Sequence, residues 1–194
     1  ANSVGTRRAT VGGLSYLLDK SSLIDFSEVH IRRDIAAGAH GKVSLATWKG
    51  MSVAIKQLHQ VLEDGDRHTF IKELAMHRSL VHPNVVQLLG VCQEPLCLVM
   101  EFMSRGSLFA CLQQTSIEMP WQLRLSCALD VARAMAFLHA KDILHRDLKS
   151  LNVLVNEDWR CKVADFDQSR AVADTLTALV GTVLWSAPEV LEGN

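Results

Sequence analysis

An excess of either charge is missing from this sequence. Its 194 residues carry 20 Lys and Arg against 21 Asp and Glu, a formal net charge of −1. That balance leaves no basic stripe for nucleic acid and no polycationic face for an anionic membrane. Paired cysteines are missing too: Cys92, Cys97, Cys111, Cys127 and Cys161 contain no C-x-x-C spacing. This argues against a metal site or a disulfide framework. It reads as buried free thiols in a reducing, cytoplasmic compartment. No apolar run reaches the length of a membrane span, and neither a signal peptide nor an internal repeat is visible. What is present is 48% hydrophobic and 21% charged residues, which speaks for a packed core and against disorder. The length suits one domain or two small lobes.

Residues 1–23 mix Gly, Ser, Thr and Arg without sustained periodicity and read as a linker or flanking tail. The first residue is alanine, so the chain is expected to be cut from something longer. From Val29 to Leu58 the pattern is β: Val43 to Trp48 alternates, and Ser52 to Lys56 is a short apolar strand. A small-residue turn, Ala36 to Gly41, separates the first two strands. Arg67 to Leu80 predicts a helix with Phe70, Leu74 and His77 on one side, stopped by His82-Pro83-Asn84. Strands are expected at Val85–Val91 and Leu96–Met100. After Met103 the period changes. Leu108, Cys111 and Leu112 suggest a short helix. Trp121 to Ala140 predicts a longer one, with Leu125, Ala128, Ala132, Met135 and Leu138 as its apolar face. Short strands at Val153–Val155 and Lys162–Ala164 follow. The order is a β-rich half, then an α-rich half.

Across both halves run fixed landmarks. They are Gly38-x-x-Gly41-x-Val43, Val53-Ala54-Ile55-Lys56, Glu73 in the predicted helix, His145-Arg146-Asp147-Leu148-Lys149-Ser150-Leu151-Asn152, Asp165-Phe166, and Ala187-Pro188-Glu189. In this order and number they exceed coincidence, and the chain resembles a protein kinase from about Ile24 to Asn194. The resemblance implies an α+β, two-lobed fold. An antiparallel β-sheet N-lobe with one helix would span about 24–103, and an incomplete, mainly helical C-lobe about 104–194. It also implies ATP and Mg²⁺ as cofactors, and phosphoryl transfer to Ser/Thr hydroxyls of a protein substrate in signalling.

Phosphoryl transfer asks for positioning and charge neutralisation, and the resemblance distributes those tasks. Lys56 would hold the α/β-phosphates, fixed by Glu73. Gly38 and Gly41 would let backbone N–H groups approach the phosphates without a Cβ between. Ala36 stands where the family has its first glycine, and His40 lies at the loop tip. Asp147 would accept or orient the substrate hydroxyl's proton. Lys149 would neutralise the moving phosphoryl, and Asn152 and Asp165 would ligate Mg²⁺ through oxygen. Val43 and Ala54 would roof the adenine, Leu154 would floor it, and Met100 would narrow the pocket behind it. The Glu101 carbonyl and Met103 N–H would read its edge. Thr182 would bond Asp147 and Lys149. Asp147-Leu148-Lys149 and Gly181-Thr182 resemble the Ser/Thr pattern, while Trp185 before Ala187-Pro188-Glu189 and the string HRDLKSLNVLV resemble the tyrosine-kinase-like branch, which includes mixed-lineage and Raf-like enzymes. An upstream kinase would act on Thr175 or Thr177.

Two departures keep a second reading open. Ala36 and Asp167 each replace a family glycine, which fits a pseudokinase scaffold that binds nucleotide weakly and docks partners. Aspartate tolerates left-handed backbone better than most residues, so Asp167 stiffens the turn without forbidding it. The chain also ends five residues after Glu189. It is therefore expected to lack helices that would cover the apolar face of the long helix, and to be poorly stable or inactive alone.

Overall fold

The alternating stretches become a five-stranded antiparallel sheet in the computed structural model. The model describes residues 22–38, 41–57, 74–116, 118–166, 170–171 and 183–191. The strands are β1 (Val29–Gly38), β2 (Gly41–Trp48), β3 (Met51–Gln57), β4 (Leu88–Gln93) and β5 (Leu96–Glu101). They lie in the order β1-β2-β3-β5-β4. A two-residue loop joins β2 to β3, and both Lys49 and Gly50 have positive φ. Two left-handed residues in succession give a turn whose twist matches that of the strands.

Side chains directly opposite each other share a face of a sheet. Val43 pairs with Lys56 and Lys56 with Leu98, while Leu45 pairs with Ala54 and Ala54 with Met100. The register thus puts Val43, Ala54, Lys56 and Met100 on one face. The opposite face carries Ala46, Val53, Ile55, Cys97 and Val99, all fully buried, and closes over Ile24, Val29 and Phe26.

Residues 74–79 form helix α1, ending one residue short of the predicted Leu80; residues 67–73 lie outside the described ones. Its buried positions include Leu74 and His77. The strand expected from Val85 begins only at Leu88. Before that point the chain pairs elsewhere: Val86 N–H donates to Val163 O at 2.9 Å and Val163 N–H to Asn84 O at 2.8 Å. Polar Gln87 interrupts the apolar run, and the partner changes there.

The second half holds helix α2 (Leu108–Gln113), capped by the Ser107 hydroxyl accepting from Ala110 N–H, and helix α3 (Trp121–His139). Strands β6 (Gly106–Ser107), β8 (Val153–Val155) and β9 (Cys161–Val163) form one small sheet. Strands β7 (Ile143–Leu144) and β10 (Arg170–Ala171) form another. A last turn of helix, α4, covers Pro188–Leu191. The five cysteines are buried and free, as their apolar neighbours suggested. No described helix is long and apolar enough to cross a membrane.

The buried face of α3 differs from the one its apolar spacing predicted. Cys127, Asp130, Ala134 and Leu138 are buried, while Leu125, Ala128 and Ala132 are exposed and Met135 is half-buried. Among the buried positions is Asp130, 1% exposed, whose Oδ2 accepts the Cys161 N–H at 3.0 Å. Arg160 and Arg133 approach its other oxygen at 3.6 and 3.9 Å. Trp121, Leu125 and Leu129 face outward, an uncovered apolar face of the kind expected for this helix. Beside them runs an open apolar groove of about 470 Å³, lined by Leu108, Leu112, Met119, Cys127, Val131 and Trp185 among others.

Asp130→Ala would leave the Cys161 N–H buried without an acceptor. The expected loss is roughly 1–3 kcal/mol, read as a lower urea midpoint with unchanged slope.

Candidate active site

Two buried hydrogen bonds set the loop between β7 and β8. The His145 ring lies with Nε2 3.0 Å from the Ala164 carbonyl, and its Nδ1 accepts the Asp147 N–H at 3.3 Å. An acceptor at Nδ1 and a donor at Nε2 define one neutral tautomer. Burial pushes the His145 pKa below the ordinary 6.5, outweighing the Ala164 carbonyl and the nearby Asp165 and Asp147 charges. Arg146, beside it, takes a positive φ of 66°.

That turn delivers Asp147 to a small knot of donors. Lys149 Nζ reaches its Oδ2 at 2.6 Å. Asn152 Nδ2 donates to the same Oδ2 and to the Asp147 carbonyl, both at 2.9 Å. Charge-assisted bonds of this kind are stronger than neutral ones. With its amide nitrogen engaged by Asp147, Asn152 presents its oxygen as the remaining acceptor.

The strand β9 ends in Ala164-Asp165-Phe166. Ala164 N–H donates to Asn152 O at 2.8 Å, so the Ala164 peptide is gripped on both sides by the 145–152 loop. Asp165 follows with a φ of 66°. Its Oδ1 lies 3.3 Å from Lys56 Nζ, which arrives from β3 in the other half of the chain. Phe166 turns inward and is buried between His77 of α1 and His145, at ring distances of 4.7 and 5.3 Å. Such tilted aromatic contacts carry a modest attraction beyond buried area. His77 is itself anchored, its Nε2 3.1 Å from the Val86 carbonyl.

The apolar side of the cleft forms where the halves meet. Met100 and Leu154 pack against buried Val86, Met103 and Ala164. Gly38 and Gly41 face each other at the closed end of the β1–β2 pair, and Ala36 pairs with Val43. Glu101 has a role that sequence reading missed. Its Oε1 accepts the Gln87 N–H at 2.7 Å, and Lys162 Nζ lies 2.7 and 2.6 Å from its two oxygens. This ion pair ties β5 to β9. No spacing signal announces it, because the partners are 61 positions apart.

The described geometry therefore brings Lys56, Asp147, Lys149, Asn152 and Asp165 into one linked network, with Met100, Met103 and Leu154 beside it. Glu73, His40, Thr182, Asp167, Thr175 and Thr177 lie outside the described residues. The oxygens of Asn152 and Asp165 are hard donors and fit a hard divalent cation such as Mg²⁺. Two ammonium groups stand near them, which suits a polyanionic ligand.

The family described as protein tyrosine and serine/threonine kinase matches residues 29–194. The chain is 41% identical over 184 residues to the "Probable serine/threonine-protein kinase drkC" of Dictyostelium discoideum, covering 88% of this chain and 24% of that protein. It is 41% identical over 179 residues to "Probable serine/threonine-protein kinase drkA" of the same organism, covering 88% and 28%. It is 40% identical over 179 residues to "Putative serine/threonine-protein kinase/receptor R818" of Acanthamoeba polyphaga mimivirus, covering 87% and 11%. The chain thus spans between about a tenth and just over a quarter of the length of these relatives.

Two measurements probe the site without a ligand. For His145 the folded pKa is depressed, so the unfolded chain binds more protons below about pH 6.5 and stability falls as pH drops through that value. The melting temperature of His145→Phe, lower at neutral pH, should decline less between pH 7.5 and 5.5 than that of the parent. For the ion pair, Glu101→Gln and Lys162→Met should each destabilise. The double variant should lose less than the sum, with a coupling of roughly 1–3 kcal/mol in urea titrations.

Proposed function

Because the chain belongs to the family of protein tyrosine and serine/threonine kinases, we propose that it transfers the γ-phosphoryl group of ATP to Ser/Thr hydroxyls of a protein substrate. The observation that carries this reading is the Lys56–Asp165 contact of 3.3 Å, made between the two halves of the chain beside Asp147, Lys149 and Asn152. The names of the similar Dictyostelium proteins support serine and threonine over tyrosine. The Asp147-Leu148-Lys149 pattern supports the same choice, and with Trp185 it supports the tyrosine-kinase-like branch.

In this reading residues 24–103 are the small lobe and 104–194 part of the large one. Lys56, steadied by Glu73, holds the α/β-phosphates, while the backbone from Ala36 through Gly38, His40 and Gly41 to Val43 covers them. Val43, Ala54 and Leu154 enclose the adenine, Met100 limits the space behind it, and the Glu101 carbonyl and Met103 N–H meet its edge. Asn152 and Asp165 hold Mg²⁺, which supplies charge neutralisation on the phosphates when bound. Asp147 orients the substrate hydroxyl and takes its proton. Lys149, already 2.6 Å from that carboxylate, sits where it can neutralise charge on the group in transit. Thr182 bonds Asp147 and Lys149 from the activation segment, and an upstream kinase modifies Thr175 or Thr177. The protein is read as a cytoplasmic signalling enzyme. A scaffold without catalysis is not favoured, because Lys56, Asp147, Asn152 and Asp165 are all present and joined in one network.

The test is transfer of labelled γ-phosphate from Mg²⁺-ATP to a generic basic protein by the full-length chain, followed by phosphoamino-acid analysis. Asp147→Asn should lower the rate by roughly 10²–10⁴-fold, the usual worth of a positioned base. Label should appear on serine and threonine. Equal transfer by parent and variant would overturn the reading, and label on tyrosine alone would overturn the substrate class.

A further inference from the structure

The chain enters the sheet through a short strap, residues 22–24. Ile24 N–H donates to the Val91 carbonyl at 2.9 Å, and Leu23 forms a parallel bridge with Val91. The strap lies on the open edge of β4, the outermost strand of the five. Successive residues of a strand point to opposite faces. Leu23 accordingly packs on the cluster of Leu74, Leu88, Val91 and Leu98, together with Met100. Ile24 packs on the other face with Ala46, Val53, Ile55 and Val99.

Gly90 makes the docking possible. A Cβ there would lie 2.5 Å from Ile24 Cδ1 and 2.8 Å from the Ser22 carbonyl oxygen. Real Cβ atoms do not tolerate such approaches, so any side chain at 90 must push the strap outward. The strap is also held lightly. Ser22 is buried, and its hydroxyl has no hydrogen-bond partner, which works against docking. Apolar contact and the Ile24 N–H bond to Val91 keep it in place.

The far side of the Leu23 cluster is α1. Leu74 directly follows Glu73 in sequence, and three residues on is His77, the ring that stacks on Phe166. We propose that the strap is a positioning element for α1: docked, Leu23 steadies Leu74 and with it the helix that faces the site; undocked, it frees that helix. Residues upstream of Ser22 thereby gain a handle on the cleft without touching it. The predicted effect on phosphoryl transfer rests on the proposed kinase activity, whereas the coupling of strap to helix does not.

Hydrogen–deuterium exchange read by mass spectrometry on the whole chain tests it, using Leu23→Ala, Leu23→Met and Gly90→Ala. Amides of residues 74–79 should exchange about 5–10-fold faster in Leu23→Ala and Gly90→Ala, and at the parent rate in Leu23→Met. Amides of α3 should be unchanged in all three. Unchanged exchange at 74–79 in Leu23→Ala would overturn the proposal, as would equal acceleration in α3, which marks general loosening. Should Gly90→Ala fail to fold, Leu23→Ala decides alone. In the full-length chain, Leu23→Ala should also lower kcat severalfold with little change in KM for the protein substrate. If the parent transfers no more phosphate than Asp147→Asn, the kinase reading fails while the exchange result still stands.

Discussion

The Ala164 peptide is the constraint on which the rest of the cleft depends. Its N–H is given to the Asn152 carbonyl and its carbonyl receives the His145 ring. Each bond is buried, and a buried polar group left unpaired is costly, so neither half of the grip can be given up cheaply. One consequence lies on each side of it. Behind Ala164, strand β9 is tied to the loop that carries Asp147. Ahead of it, the backbone turns left-handed at Asp165, which sends the carboxylate toward Lys56 and the next side chain, Phe166, into the interior. Polar and apolar outcomes thus follow from a single turn.

Two further links join the halves of the chain, and they differ in kind. Tilted ring contacts run from His77 of α1 through Phe166 to His145 of the loop, with both imidazoles anchored at buried carbonyls. The Glu101–Lys162 pair is ionic and largely shielded from solvent. A charged pair with two short bonds fixes one geometry. The first anchors α1 beside the loop, and the second holds β5 against β9.

Much of this was legible in the sequence, for identifiable reasons. Strand β2 shows itself by alternation, whereas β3 and β5 show themselves as short apolar runs, β5 being buried on both faces at Cys97, Leu98 and Val99. The landmarks Lys56, Asp147, Asn152 and Asp165 show themselves by spacing and residue type, because the chemistry they resemble admits few substitutes. Other features lacked any local signal. The inward face of α3 is organised around Asp130, and a pattern of apolar residues cannot reveal a carboxylate that is buried because a strand needs an acceptor. The run from Val85 to Val91 was expected as one strand, yet it serves β9 first and the large sheet only after the polar Gln87. Glu101 was read for its backbone, while its side chain serves a lysine far along the chain. Leu23 sits in a strap too short to have a period at all.

The pairing of Glu101 has an electrostatic consequence for anything entering the cleft. A bare carboxylate at the junction of the halves would project negative potential into a low-dielectric gap, where a ligand bearing several phosphates would feel it strongly. Lys162 cancels that field locally, so the junction is close to neutral as seen from the cleft. Across the cleft the ammonium groups of Lys56 and Lys149 are matched in the same way by Asp165 and Asp147, so the described charges of the site balance pair by pair.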